Sequence, residues 1–241
     1  MGISSPLLTV DHLSLDLRLR TRVVPVLERV QFEVYHGETV GVIGEGGAGK
    51  SATAGVIIGL LHASASIAHG HIVFGDLEMT GAAESTLQKV RGREMVMIAG
   101  HPRSTLNPIR SVGRQLEDVL RCRPDATQRT VRRQALQAMS RVNMPEPEHL
   151  YNAYPCELSE ELCQRLSLAM ALSAQPSLLI ADDPTAGFDI TAQAVIMSLI
   201  KTATVSRGMA TLLFTRDVAL AAAYCDRIVV MHAGHVWWSR P

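Results

Sequence analysis

Aromatic residues are scarce: Phe, Trp and Tyr together make 4% of the 241 residues, so the core must be built from Ala, Val, Leu, Ile and Met. An excess of one charge sign is also missing. Lys plus Arg is 23 and Asp plus Glu is 23. That balance excludes wholesale binding to nucleic acid or an anionic lipid surface, which needs a basic surplus or a strongly basic face. No apolar run approaches the roughly 18 residues that span a bilayer. The nearest candidate, Val218 to Cys225, is closed by Asp226. Met1 to Val10 has no basic segment followed by an apolar core, so no signal peptide is expected. Cys122, Cys156, Cys163 and Cys225 stand at no metal-binding spacing and read as reduced thiols. These absences predict a soluble cytoplasmic protein, and the 47% hydrophobic share is ample for a core.

What is present is an alternation of strand and helix patterns. Leu13 to Leu19 alternates apolar and polar residues as a half-exposed strand does, and Val30 to Tyr35 predicts a second strand. Thr39 to Ile43 is a short apolar run entering a glycine-rich loop. A helix is expected from Lys50 to about Leu61, then a small-residue connection from Ala63 to Gly70. Strands are expected at His71 to Phe74 and Glu94 to Ala99. From Arg110 to Met144 the texture becomes amphipathic helix, with Asp125 as N-cap of a helix over Ala126 to Val142. Beyond Pro155, helices at Glu160 to Ala174 and Thr191 to Ser206 alternate with strands at Ser177 to Ala181 and Ala210 to Thr215. A short Ala-rich helix and the strand Arg227 to His232 follow. The order predicts a single α/β unit with a helical subdomain inserted at about residues 101 to 165.

Gly44-Glu45-Gly46-Gly47-Ala48-Gly49-Lys50-Ser51 fits G-x-x-x-x-G-K-[ST] at every fixed position, between a buried strand and a helix. Its glycines let backbone N–H groups turn inward on phosphate oxygens at a helix N-terminus. Lys50 would reach the β- and γ-phosphates and the Ser51 hydroxyl would ligate Mg²⁺. The second half of such a site is an apolar strand ending in an acid, and Leu178-Leu179-Ile180-Ala181-Asp182 supplies it. Asp182 is the second candidate for Mg²⁺. The pair therefore predicts nucleotide binding with Mg²⁺. His69 and His71 flank Gly70 without a third ligand at suitable spacing and read as turn and strand-end residues. Arg129, Arg132, Arg133 and Arg141 read as a solvated face, not a nucleic-acid surface.

These motifs, with Ser104-Thr105-Leu106-Asn107-Pro108, Tyr154 to Gln164, Leu178 to Asp189 and Leu212 to Gly234 in that order, resemble the ATPase subunits of ABC transporters. Within them the peptide and nickel importer group, including the Sap-type peptide system, looks most similar. The resemblance covers nearly the whole chain. It implies an α/β P-loop NTPase core of the ABC type, with an N-terminal antiparallel β part and the inserted helical subdomain. It also implies a head-to-tail dimer with a second ABC ATPase subunit, ATP at the interface, and integral membrane permease subunits holding the chain at the inner face of the membrane. Ala52, Ser159 and Asp189 join the nucleotide-binding residues on this resemblance. Relatives usually continue past the strand resembled by Gly234 to Trp238, some with a cysteine-bearing tail, so Pro241 implies that this tail is missing and that Trp237 and Trp238 lie uncovered or against a partner.

Four motifs depart from the family pattern. The Gln expected before Ser104-Thr105-Leu106-Asn107-Pro108 is Gly100, followed by His101. Either it removes a contact to Mg²⁺ and the attacking water, or it is a hinge. The catalytic Glu is Asp183, a base one methylene shorter, for which a retreat of roughly 1 Å can cost on the order of 10²-fold; the other reading is a turn cap beside Pro184. The switch histidine is Arg216, which either binds the γ-phosphate or pairs with Asp217 or another acid. The signature Leu-Ser-Gly-Gly is Leu158-Ser159-Glu160-Glu161, whose carboxylates either oppose the partner's γ-phosphate or sit at the start of a helix. The adenine-stacking aromatic is missing from Leu17 to Val24. Together these predict a subunit that binds MgATP stably and hydrolyses it slowly or with a partner's help. The alternatives are a fully competent transporter ATPase and a nucleotide-dependent scaffold in a soluble complex.

Overall fold

The computed structural model describes residues 5–123 and 127–240, so the expected cap Asp125 lies outside the described residues. In chain order the elements are β1 (Leu8–Arg18), β2 (Val23–Val34), β3 (Thr39–Ile43), α1 (Lys50–Ile57), β4 (Ala65–Phe74), β5 (Leu77–Glu78), α2 (Glu84–Val90) and β6 (Met95–Ala99). Then follow α3 (Pro102–Thr105), α4 (Val112–Arg121), α5 (Val131–Arg141), α6 (Pro147–Leu150), a 3₁₀ turn at Pro155–Glu157 and α7 (Glu160–Ser173). The chain closes with β7 (Leu178–Asp182), α8 (Ile190–Arg207), β8 (Ala210–Thr215), α9 (Val218–Tyr224), β9 (Arg227–His232) and β10 (His235–Arg240).

Two sheets result. The N-terminal strands form an antiparallel sheet of order β2-β1-β4-β5, and the rest a sheet of order β10-β9-β3-β8-β7-β6. In the second, β9, β3, β8, β7 and β6 run parallel and β10 is antiparallel on the edge. The central strands are continuous apolar runs because both faces are covered. Val40, Val42, Ile180, Leu212 and Phe214 face the core shared with α1 and the antiparallel sheet. Leu179, Ala181 and Leu213 face the core shared with α7 and α8.

Three expectations need correction. Ala63 to Gly70 is not a connection, because Ala65 begins β4 and pairs along β1 from Leu17↔Ala65 to Leu8↔Phe74. The small and polar residues are tolerated since β5 covers only Val73 and Phe74, leaving the rest of that edge open. His69 and His71 therefore lie inside a strand, and His71 Nδ1 sits 3.1 Å from Glu78 on β5. Among the described residues no three His, Cys, Asp or Glu gather to hold a metal. Finally, β1 and β2 are longer than the alternation suggested. Pro25 interrupts the pattern but sits in an edge strand, where its missing N–H breaks no ladder.

The helices between β6 and β7 lock together through Tyr151. Its hydroxyl bonds to the buried Glu117 carboxylate, which also pairs with Arg121 at 2.6 Å. The Arg132 guanidinium lies 5.0 Å above its ring. Burial, then the Glu117 contact, push the phenol up to about 12, so it remains a neutral donor.

Candidate nucleotide site

The parallel register sets the site. Ile43 is level with Thr215, Phe214 with Asp182, and Asp182 with Ala99. The next residue of each strand therefore emerges at one rim: Gly44, Arg216, Asp183 and Gly100, across β3-β8-β7-β6. This is the carboxyl edge of a parallel sheet, where α/β folds bind their ligands.

The loop after β3 turns through left-handed glycines, Gly47 at φ 82° and Gly49 at φ 98°, conformations costly for other residues. It is braced from far along the chain. A Cβ on Gly49 would meet Leu27 Cδ2 at 2.6 Å, and one on Gly44 would run into the Met231 carbonyl. The Gly234 N–H donates to Ala48 O at 3.1 Å, while Glu28 N–H donates to Gly234 O at 2.9 Å. Lys50, only 7% exposed, donates from Nζ to Gly44 O at 2.7 Å and to Glu45 O at 3.0 Å. Its pKa is lowered, first by burial and also by Arg216, against the pull of Asp183 and Asp182. A phosphate oxygen can replace the two carbonyls without further dehydrating the amine. Ser51 is exposed on the first turn of α1, and Ala52 is half-buried behind it.

Asp182 carries the observation that bears on a metal. Its Oδ1 is buried without a hydrogen-bond partner. Burial raises the carboxyl above its ordinary value, and the Ser51 hydroxyl beside it opposes the rise. An orphaned carboxylate oxygen next to a hydroxyl suits a hard cation whose remaining ligands come from phosphate and water. The residues fit Mg²⁺: Ser51 and Asp182 would hold it, and it would neutralise phosphate charge. The pH sign follows from the raised value. The folded chain binds this proton more readily than the unfolded chain does, so the contribution to stability grows as pH falls through the raised value and is lost at neutral pH. Asp182→Asn is therefore expected to raise the melting temperature of the ligand-free protein at pH 7, less so in acid, and to remove the Mg²⁺ dependence of ATP binding. Calorimetry across pH checks the first and titration with and without Mg²⁺ the second.

The altered residues touch one another. Asp183 has φ 46°, a left-handed conformation that Asp tolerates better than most side chains. Its N–H donates to Phe214 O at 2.8 Å, and its carbonyl accepts from Ala186 N–H at 3.0 Å. That carbonyl is what Gly100 faces: a Cβ there would overlap Asp183 O and lie 3.1 Å from Ala186 Cβ. Gly100 has no positive φ, so space, not hinge freedom, calls for glycine. On the other side Arg216 Nε lies 3.9 Å from Asp183 Oδ2. Asp217, the acid named for Arg216 from the sequence, instead caps α9 by accepting from Leu220 N–H at 2.9 Å.

The signature turn lies at the start of α7. Ser159 caps that helix, accepting from Leu162 N–H at 3.2 Å, and Glu160 and Glu161 occupy its first turn. Neither carboxylate stands alone. Glu161 pairs with Arg165 one turn on, and Glu160 lies 3.4 Å from Arg103. Sequence reasoning missed Arg103; its one signal was an arginine in the segment that follows Gly100. Gln164 is wholly buried and donates to Pro184 O at 2.7 Å, tying α7 to the turn after Asp183. Asp189 caps α8 through Ala192 N–H at 2.9 Å. Lys50, Ser51, Asp182, Asp183 and Arg216 are thus brought together, whereas Ser159 and Asp189 are engaged in helix caps.

Comparisons with known proteins bear on the family and the fold. The family profile described as ABC transporter matches residues 27–186. The oligopeptide transport ATP-binding protein AppD of Bacillus subtilis is 35% identical over 96% of this chain and 71% of its own length. OppD of Haemophilus influenzae, also an oligopeptide transport ATP-binding protein, is 35% identical over 95% of this chain and 71% of its own. The peptidoglycan transport ATP-binding protein YejF of Agrobacterium fabrum is 36% identical over 97% of this chain, which spans 43% of that relative's length. Among solved structures, the ATP-binding cassette MJ0796, as a dimer in a post-hydrolysis state with ADP and Pi, superposes with a TM-score of 0.86 at 22% identity, covering 97% of both chains. With profile, relatives and fold in agreement, this chain belongs to the ABC transporter family and has the fold of its ATP-binding cassettes.

Proposed function

We propose that this chain is the ATP-binding subunit of an importer for peptides or for a metal or other small solute, and that it grips MgATP while hydrolysing it slowly. The observation that carries the reading is the contrast within one rim. The phosphate loop, Lys50 and the orphaned Asp182 oxygen form a complete phosphate and cation grip. Gly100, Asp183 and Arg216, which stand where the family senses the γ-phosphate and activates the attacking water, are all changed and packed side by side. ATP binds in a head-to-tail dimer, with Lys50 and the loop amides on its phosphates and Asp183 as the base within reach of water. Arg216, already beside Asp183, supplies a second cation to the γ-phosphate in place of an imidazole. Ser159 and Asp189 face the opposing subunit, Ser159 towards the nucleotide.

The importer reading draws on the names of the relatives and on one surface. Beside β6 an apolar cleft of about 390 Å³ is lined by Val96, Ile98, Leu106, Val119 and Met170 among others. A short helix of a permease subunit would dock there and hold the chain at the inner membrane face.

Single-turnover hydrolysis, by the isolated chain and by the complex it purifies with, tests the proposal. The isolated chain is expected to turn over at least about tenfold more slowly than a relative with Glu at the position of Asp183, since the shorter base loses reach. Asp183→Glu should raise the rate. Hydrolysis by the unsubstituted chain at the relative's rate would sink the slow-turnover reading, and purification with soluble subunits alone would favour a scaffold.

A further inference from the structure

The doubly acidic turn Ser159-Glu160-Glu161 poses an electrostatic problem that one residue outside α7 answers. A carboxylate in the first turn of a helix suits its own macrodipole, but it repels any anion approaching along the axis. Glu161 has its counter-ion on the same helix, Arg165, whose Nη1 also donates to Asn143 O at 2.6 Å. Glu160 does not. Its cation, Arg103, arrives from α3, three residues after Gly100. The guanidinium uses two edges at once: Nη2 donates to Leu158 O at 2.5 Å while Nε lies 3.4 Å from Glu160 Oε1. It also reaches the buried Cys163 thiol one turn into α7. Such a fork cannot be copied by the single ammonium of lysine. With both arginines in place the turn carries two positive and two negative charges. Without Arg103 it carries a net negative charge, on side chains about half exposed (46% for Arg103 and 51% for Glu160).

We propose that Arg103 is the counter-ion that allows this acidic signature turn to face the phosphates of ATP held by a second copy of the chain. The inference rests on the head-to-tail reading given above and takes a second copy of this chain as the opposing subunit. Arg103 positions the turn through Leu158 and cancels Glu160; it does not touch the chain's own phosphate loop. The separate roles predict separate losses. Arg103→Met removes the charge and keeps most of the apolar stem, and Glu160→Gln removes the charge that needed cancelling.

The test is ATP-dependent self-association, followed by sedimentation in an Asp183→Asn background that holds ATP unhydrolysed, with MgATP binding to the single chain measured in parallel. Arg103→Met is expected to weaken association about threefold to fivefold, the scale of one partly exposed ion pair, and to leave single-chain MgATP affinity unchanged. Adding Glu160→Gln should restore association to within about twofold, and Arg103→Lys should retain part of it. Association unaffected by Arg103→Met, or lost without recovery in the double variant, would overturn the counter-ion role; the second result would leave Arg103 as a structural tie to Leu158. If the Asp183→Asn chain binds MgATP yet never self-associates, the reading that pairs two copies fails, and the role given to Arg103 fails with it.

Discussion

Lys50→Met is expected to weaken MgATP binding by about two orders of magnitude. The amine is 7% exposed and already dehydrated, with its pKa lowered chiefly by burial. In the ligand-free chain it is satisfied by Gly44 O and Glu45 O, so exchanging those carbonyls for phosphate oxygens replaces neutral partners with charged ones. Removing one member of a buried charge pair costs about 3–5 kcal/mol, and every 1.4 kcal/mol is tenfold in affinity. Titration with a fluorescent ATP analogue checks the loss. Binding within threefold of the unsubstituted chain would remove Lys50 from the phosphate site. The loop should also loosen, because two carbonyls lose the donor that gathers them.

Gly100→Gln, the substitution that restores the family residue, is expected to damage the protein instead of repairing it. A side chain there begins with a Cβ placed against the Asp183 carbonyl and 3.1 Å from Ala186 Cβ. Because Asp183 O accepts the Ala186 N–H at 3.0 Å, the clash cannot be relieved without reopening the turn that holds the candidate base. Overpacking of this kind costs about 1–3 kcal/mol, or several degrees of melting temperature for a domain of this size. Differential scanning calorimetry should show the drop, and single-turnover hydrolysis should not rise. A variant that melts unchanged and hydrolyses faster would mean that glycine is there for a reason other than space. The obstacle is the Asp183 backbone, so the turn held at φ 46° has to move before any side chain fits in place of Gly100.

Much of this was legible in the residues. The loop from Gly44 to Ser51 and the strand ending in Asp182 announce themselves because each combines a backbone demand with a chemical one. The strands Ala210–Thr215 and Arg227–His232 were readable from the short apolar runs inside them, Leu212 to Phe214 and Ile228 to Met231. Ala65 to Gly70 was not, since only Ile67 among those residues favours a strand and the segment is held extended by pairing with β1. The four departures could be named from the sequence, but their meaning depends on contacts between distant positions. Whether Gly100 was a hinge, whether Arg216 faced Asp217 or another acid, and whether the signature carboxylates stood unpaired each turned on a neighbour from another segment. Arg103 shows the limit most plainly, because nothing in its own surroundings in the chain points to Leu158 and Glu160.

The bracing of the phosphate loop also sets an order of events during synthesis. Gly49 packs on Leu27, Gly44 on the Met231 carbonyl, and Ala48 accepts the Gly234 N–H. The loop thus takes its supports from a strand made just before it and from a hairpin made nearly two hundred residues later. Chains emerge from the ribosome N-terminus first, at about 5–20 residues per second, and contacts so far apart are late and slow to close. The phosphate loop is therefore expected to be fully braced only once the hairpin of β9 and β10 has docked, so a chain stalled before that hairpin holds the complete motif without its late supports.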